Sequence, residues 1–100
     1  MSNALDFGLQ SPTFLFIKES GGYSNPIKEG IGRLRGIQVN NITDDKRSII
    51  VYDDNVAAAT ILINEFVPSA GKYYNFGDVL FGNGLWIVFD GAIDCTVIYF

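Results

Sequence analysis

Short runs rich in Val, Ile, Thr, Phe and Tyr recur along the chain, separated by clusters of Gly, Asn, Asp, Pro and Ser. The runs cover residues 13–18, 31–39, 48–53, 60–66, 72–81, 85–90 and 93–100. β-Branched and aromatic side chains suit a pleated, half-buried surface, so each run is predicted to be a strand. The alanine-rich segment 55–60 is long enough for a single helical turn and too short for a helix. Seven to eight short strands with no helix predict an all-β fold, an antiparallel β-sandwich of jelly-roll or Ig-like type. Residues 1–12 read as an extended N-terminal arm and residues 13–100 as a single sandwich domain. The stretch 19–30, with its glycines, Pro26 and mixed charges, reads as a long loop.

Alternation within the runs sorts side chains by face, because successive residues of a strand point to opposite sides. Leu85, Ile87 and Phe89 share one side, as do Ile93, Cys95, Val97 and Tyr99. These sets predict the face packed between two sheets. The opposite side still carries Trp86, Val88, Ile98 and Phe100, more apolar surface than a solvated face normally shows. Asn83-Gly84 and Asp90-Gly91 both accept the positive φ of tight hairpins. They predict that the last three strands form an antiparallel meander, which would gather those four side chains into one patch. Leu5 and Phe7 of the arm alternate in the same way. Leu5, Phe7, Trp86, Val88, Ile98 and Phe100 are therefore the predicted subunit or partner interface. In run 31–39 strict alternation would bury Arg33 and Arg35 with Ile37 and Val39, so a bulge at Gly36 is predicted to shift the phase.

Composition sharpens this picture. Only 18% of the 100 residues are charged against 48% hydrophobic, and a soluble domain ordinarily carries about 25% charged. The shortage of surface charge points to an oligomer or an assembly component. The net charge is −4, with six Lys or Arg against five acids in the first fifty residues and one against six in the last fifty. A net acidic chain without a basic run does not fit phosphate-dominated nucleic-acid binding. No apolar stretch is long enough for a membrane span, no export signal is visible at the start, and a single cysteine allows no internal disulfide. The expectation is synthesis in a cytoplasm.

Candidate chemistry is sparse. The chain contains no histidine, which removes the commonest general base, zinc ligand and triad member. Cys95 has no basic neighbour in sequence and reads as a small buried hydrophobe. The sequence 30–36, GIGRLRG, has the wrong spacing for a phosphate loop and leads into a strand. Asp44-Asp45 and Asp53-Asp54-Asn55 stand at strand ends, where such residues stabilise turns. A calcium site from Asp53, Asp54 and Asp90 or Asp94 would need a spaced loop motif that is absent. Tyr23, Tyr73, Tyr74, Trp86 and Tyr99 are the candidates for a sugar-stacking platform. Asn41-Ile42-Thr43 is a glycosylation sequon, read as unused in a cytoplasmic chain. No catalytic, cofactor-binding or metal-ligating residue is predicted.

Two stretches carry a resemblance. Residues 49–62, IIVYDDNVAAATIL, join a strand ending in Tyr-Asp to a second strand through an alanine-rich turn. Residues 78–100, DVLFGNGLWIVFDGAIDCTVIYF, run through Asn-Gly-Leu to a closing Thr-Val-x-Tyr strand. Together they resemble small β-sandwich virion proteins of tailed bacteriophages. The resemblance implies a non-enzymatic structural protein located in the virion, most simply a capsid cement or decoration protein. Its implied partners are further copies of itself, a trimer being favoured, and other virion proteins such as the major capsid protein. Nucleic acid, membrane and cofactor are not among them. A neck or tail component and a carbohydrate-binding β-sandwich module are the alternatives.

Overall fold

A computed structural model describes residues 11–19, 21–42, 48–55 and 60–100. Among them eight strands form and no helix: β1 (Thr13–Glu19), β2 (Tyr23–Glu29), β3 (Gly32–Ile42), β4 (Ile49–Tyr52), β5 (Ile61–Phe66), β6 (Tyr73–Phe81), β7 (Gly84–Phe89) and β8 (Ile93–Tyr99). The predicted runs correspond to all of these except β2. Residues 1–10 of the predicted arm 1–12 and the alanine-rich residues 56–59 lie outside the described residues, as do Asp44 and Asp45.

The strands make two four-stranded antiparallel sheets, ordered β1-β8-β3-β6 (sheet A) and β2-β7-β4-β5 (sheet B). β1 pairs with β8, β2 with β7, β3 with β6 and β4 with β5. The pairs are nested like one long hairpin rolled on itself, and β3–β8 and β4–β7 pairing closes each sheet. This is the jelly-roll order, and it sets aside the Ig-like alternative. Only β4 and β5 are consecutive strands in the same sheet. The expected meander is therefore overturned. β6 and β8 belong to sheet A and β7 to sheet B, so the Gly-containing turns at 83–84 and 90–91 carry the chain across the sandwich.

The predicted inner faces hold. Leu85, Ile87 and Phe89 of β7 meet Ile93, Cys95 and Val97 of β8 within one buried core, joined by Leu34, Ile37 and Val39 of β3 and Ile49 and Val51 of β4. Each large apolar side chain removed from water contributes on the order of 1.5–3 kcal/mol. Phe66 of β5 stacks against Tyr74 and Phe76 of β6, ring centroids 4.9 and 6.1 Å apart, and so bridges sheet B to sheet A.

The bulge expected at Gly36 is present. Leu34 and Gly36 pair with adjacent residues of β8, Tyr99 and Ile98, leaving Arg35 as the extra residue on β3. Leu34 and Ile37 can then both point inward while Arg33 and Arg35 stay partly exposed. On β6 the same irregularity spans Phe76 to Asp78, with Gly77 and Asp78 in the left-handed region at φ 67° and 57°. Arg35 donates to both carboxylate oxygens of Asp78, at 2.9 and 3.2 Å.

Candidate functional site

Strand parity places the outward side chains of each sheet in cross-strand rows. On sheet A, Phe14 of β1 stands opposite Ile98 of β8, and Ile98 opposite Gly36 of β3. Gly36 has no side chain, and the Tyr73 phenol lies over it. Phe16 stands beside Phe14, opposite Thr96. Phe14 and Phe16 are 64% and 59% exposed. One end of this apolar strip is bordered by Lys18, Asp94 and Asn40, where Asn40 donates to Asp94 and Thr96. The other end is bordered by the Arg35–Asp78 pair.

On sheet B a second row runs Pro26, Trp86, Tyr52, Ile61 across all four strands, with Val88 and Ile50 beside it. Trp86 is half-buried and donates its indole N–H to Ser24 Oγ at 3.0 Å. Ile61 is the open end of the row, at 54% exposure.

The four described residues of the predicted interface, Trp86, Val88, Ile98 and Phe100, therefore do not form one patch. Trp86 and Val88 lie on the outside of sheet B, and Ile98 and Phe100 on the outside of sheet A, a sandwich thickness of about 10 Å apart. The reason is the sheet change between β7 and β8, which no turn residue announces. Phe100 is also partly covered, because the Arg35 guanidinium sits 4.7 Å from its ring centre and Lys28 Nζ donates to its main-chain oxygen. Leu5 and Phe7 lie outside the described residues. Sequence reasoning missed Phe14, Phe16, Tyr52 and Ile61. The run TFLFIK already carried the signal, since both parities of that strand are apolar.

The proposed sugar platform is dispersed in the same way. Tyr23, Tyr74 and Tyr99 pack on the core, Tyr23 with its ring 5.3 Å from Phe89. Tyr73 is on one outer face and Trp86 on the other. Stacking five rings on one ligand is not possible from these positions.

The candidate acids have structural partners. Asp53, just after β4, accepts main-chain N–H bonds from Gly82, Asn83 and Gly84 at 2.8–3.3 Å. Burial by itself raises a carboxyl pKa, but here the three donors outweigh it and hold Asp53 below the ordinary carboxylate value. Asp54 accepts from the Asn55 N–H at 2.8 Å, a turn bond. Among the described residues, no group of three or more His, Cys, Asp or Glu side chains stands where it could hold a metal ion. Cys95 is fully buried, and burial pushes its thiol up to about 12.

No family model, curated protein or solved structure matches the chain. The arrangement itself offers apolar contact on both broad faces of the sandwich.

Proposed function

We propose that this chain is a non-enzymatic structural protein of a bacteriophage virion, a capsid cement or decoration protein that binds the capsid shell as a homo-oligomer. One observation carries the reading: cross-strand apolar rows lie on both outer faces of the sandwich, so the domain has surface to be covered on two opposite sides. A part that joins neighbours needs contacts on more than one side, whereas a ligand-binding module needs one. The resemblance of residues 49–62 and 78–100 to phage virion proteins points the same way. So does the jelly-roll order, an architecture that viral capsid proteins share with lectins.

The lectin side of that comparison keeps a carbohydrate-binding module as the second reading. Against it stands the chemistry of the open side chains. Phe14, Phe16, Ile61 and Leu80 are all more than half exposed, and none offers the hydrogen bond that a sugar hydroxyl needs alongside a stacking ring. Such side chains suit protein surface.

The test is mass spectrometry of particles purified from the phage whose genome encodes the chain. The expected result is a stoichiometric copy number relative to the shell protein. Absence from the particle, together with specific binding on a glycan array, would replace this reading with the second one.

A further inference from the structure

We propose that β1 is the seam at which a second copy of this chain joins, strand to strand and antiparallel, extending sheet A across a two-fold axis. The proposal names a partner for the assembly reading above and rests on it for the premise that the open apolar surface is covered.

A sheet edge presents unpaired N–H and C=O groups to any passing strand, and native proteins blunt it with proline, bulges, charged side chains or a covering segment. Among the described residues four strands stand at sheet edges, and three of them are blunted. β2 carries Pro26 and a register break between Pro26 and Lys28. β5 breaks register twice against β4. β6 is kinked by Gly77 and Asp78 in the left-handed region, and Arg35 holds Asp78 there. β1 has neither proline nor bulge, since its seven residues pair with β8 in unbroken register, and its charges, Lys18 and Glu19, are confined to one end. It also displays the two most exposed aromatic rings among the described residues, Phe14 and Phe16.

The strand's fit to itself selects a second copy over an unlike strand. Full antiparallel overlap of residues 13–19 puts Phe16 on the axis, opposite Phe16 of the second copy. Phe14 then meets Lys18, Leu15 meets Ile17, and Thr13 meets Glu19. Every cross-strand pair is of a favourable or neutral kind, and no like charges stand opposite each other. Leu15 and Ile17 face the core, so the seam also makes the two cores continuous. Affinity in such a contact comes from main-chain hydrogen bonds, with side-chain pairs setting the register. The two rings add roughly 250 Å² of open surface per copy, at about 200 Å² for a whole aromatic side chain. An isologous seam closes at two copies, and so departs from the trimer expected from the sequence.

Sedimentation equilibrium of the full chain tests this, with wild type compared against Phe16→Lys. The substitution sets two like charges against each other on the axis, at a position open enough to leave the fold intact, as circular dichroism would verify. The expected result is a wild-type dimer whose dissociation constant rises at least about 30-fold in the variant, the scale of an interface hot spot. In a second measurement, Phe16→Cys treated with a short bis-maleimide becomes a covalent dimer. Ile61→Cys stays a single chain, and buried Cys95 stays silent. A wild-type monomer at all concentrations, a dimer indifferent to Phe16→Lys, or cross-linking at 61 and not at 16 would each overturn the seam. A dimer that dissociates on deletion of residues 1–10 but not with Phe16→Lys would assign the contact to the arm and overturn it as well. The particle mass spectrometry reads separately, so failure of the seam and failure of the virion reading are distinguishable.

Discussion

At Gly36 the outer side of sheet A has room for a hydrogen atom and nothing larger. A Cβ there would collide with the Tyr73 phenol and come within 2.6 Å of the Tyr74 carbonyl oxygen. The phenol can swing away, because Tyr73 is 39% exposed. The carbonyl belongs to the β3–β6 ladder and cannot. Gly36→Ala is therefore expected to destabilise the fold by about 1–3 kcal/mol, the range of an overpacked site, as read from urea unfolding. An unchanged midpoint would mean that the ladder gives way at little cost. Cys95 illustrates the opposite case, a reactive group made inert by its surroundings. With its thiol held near 12 and fully buried, almost none is thiolate at neutral pH. A thiol reagent at pH 8 should label the native chain only as fast as the fold opens, and promptly in denaturant. Fast labelling of the native chain would show that β8 is loosely held.

At the scale of the element, what could be read from the sequence depended on how much of a strand's logic is local. The bulge in β3 was legible because two arginines and two apolar residues shared a parity that no buried strand tolerates. Its position at Gly36 was read from that alternation alone, and the Tyr73 ring over Gly36 emerges only in the fold. β2 was hidden by the same kind of reasoning. Tyr23 and Ile27 alternate towards the core, but Pro26, Ser24, Asn25 and two charged residues dominate the segment and read as loop. Proline cannot donate to a ladder, but an edge strand turns alternate nitrogens to solvent, where no donor is required, and a bulge follows Pro26 here. Edge strands are where local composition predicts least, because solvent replaces half of their partners. The outward aromatics of β1 sit in a run, TFLFIK, whose two parities are both apolar, so composition alone does not separate its core face from its open one.

At the scale of the whole molecule, the sequence specified strands and reversals but not which sheet each strand enters. A Gly-containing turn reverses the chain equally well within a sheet or across the sandwich. The choice belongs to long-range pairing, β1 with β8 and β2 with β7, which no short window contains. That choice decides the surface, since it splits the expected single patch into two rows on opposite faces. It also gives Asp53 its place. The carboxylate ties the end of β4 to residues 82–84, the link on which the chain passes from sheet A to sheet B. Its folded pKa lies below the ordinary aspartate value, as does that of Asp78, where the Arg35 hydrogen bond is the main cause. A carboxyl depressed by folding contributes stability above its unfolded value of about 3.9, and the contribution is lost as pH falls through the folded value. Asp53→Asn keeps the shape and removes the charge. At pH 6 the variant is expected to be less stable than wild type by about 1 kcal/mol, the difference between hydrogen bonds to a charged and to a neutral acceptor. That corresponds to a melting temperature lower by roughly 4–8 °C for a domain of this size. As pH falls from the unfolded value of about 3.9 through the lower folded value, the wild-type carboxyl becomes neutral too, so the two melting curves should converge. Thermal unfolding of both proteins from pH 6 to pH 2 reads this directly. A gap that stayed constant down to pH 2 would mean that shape, and not charge, holds the crossing between the sheets.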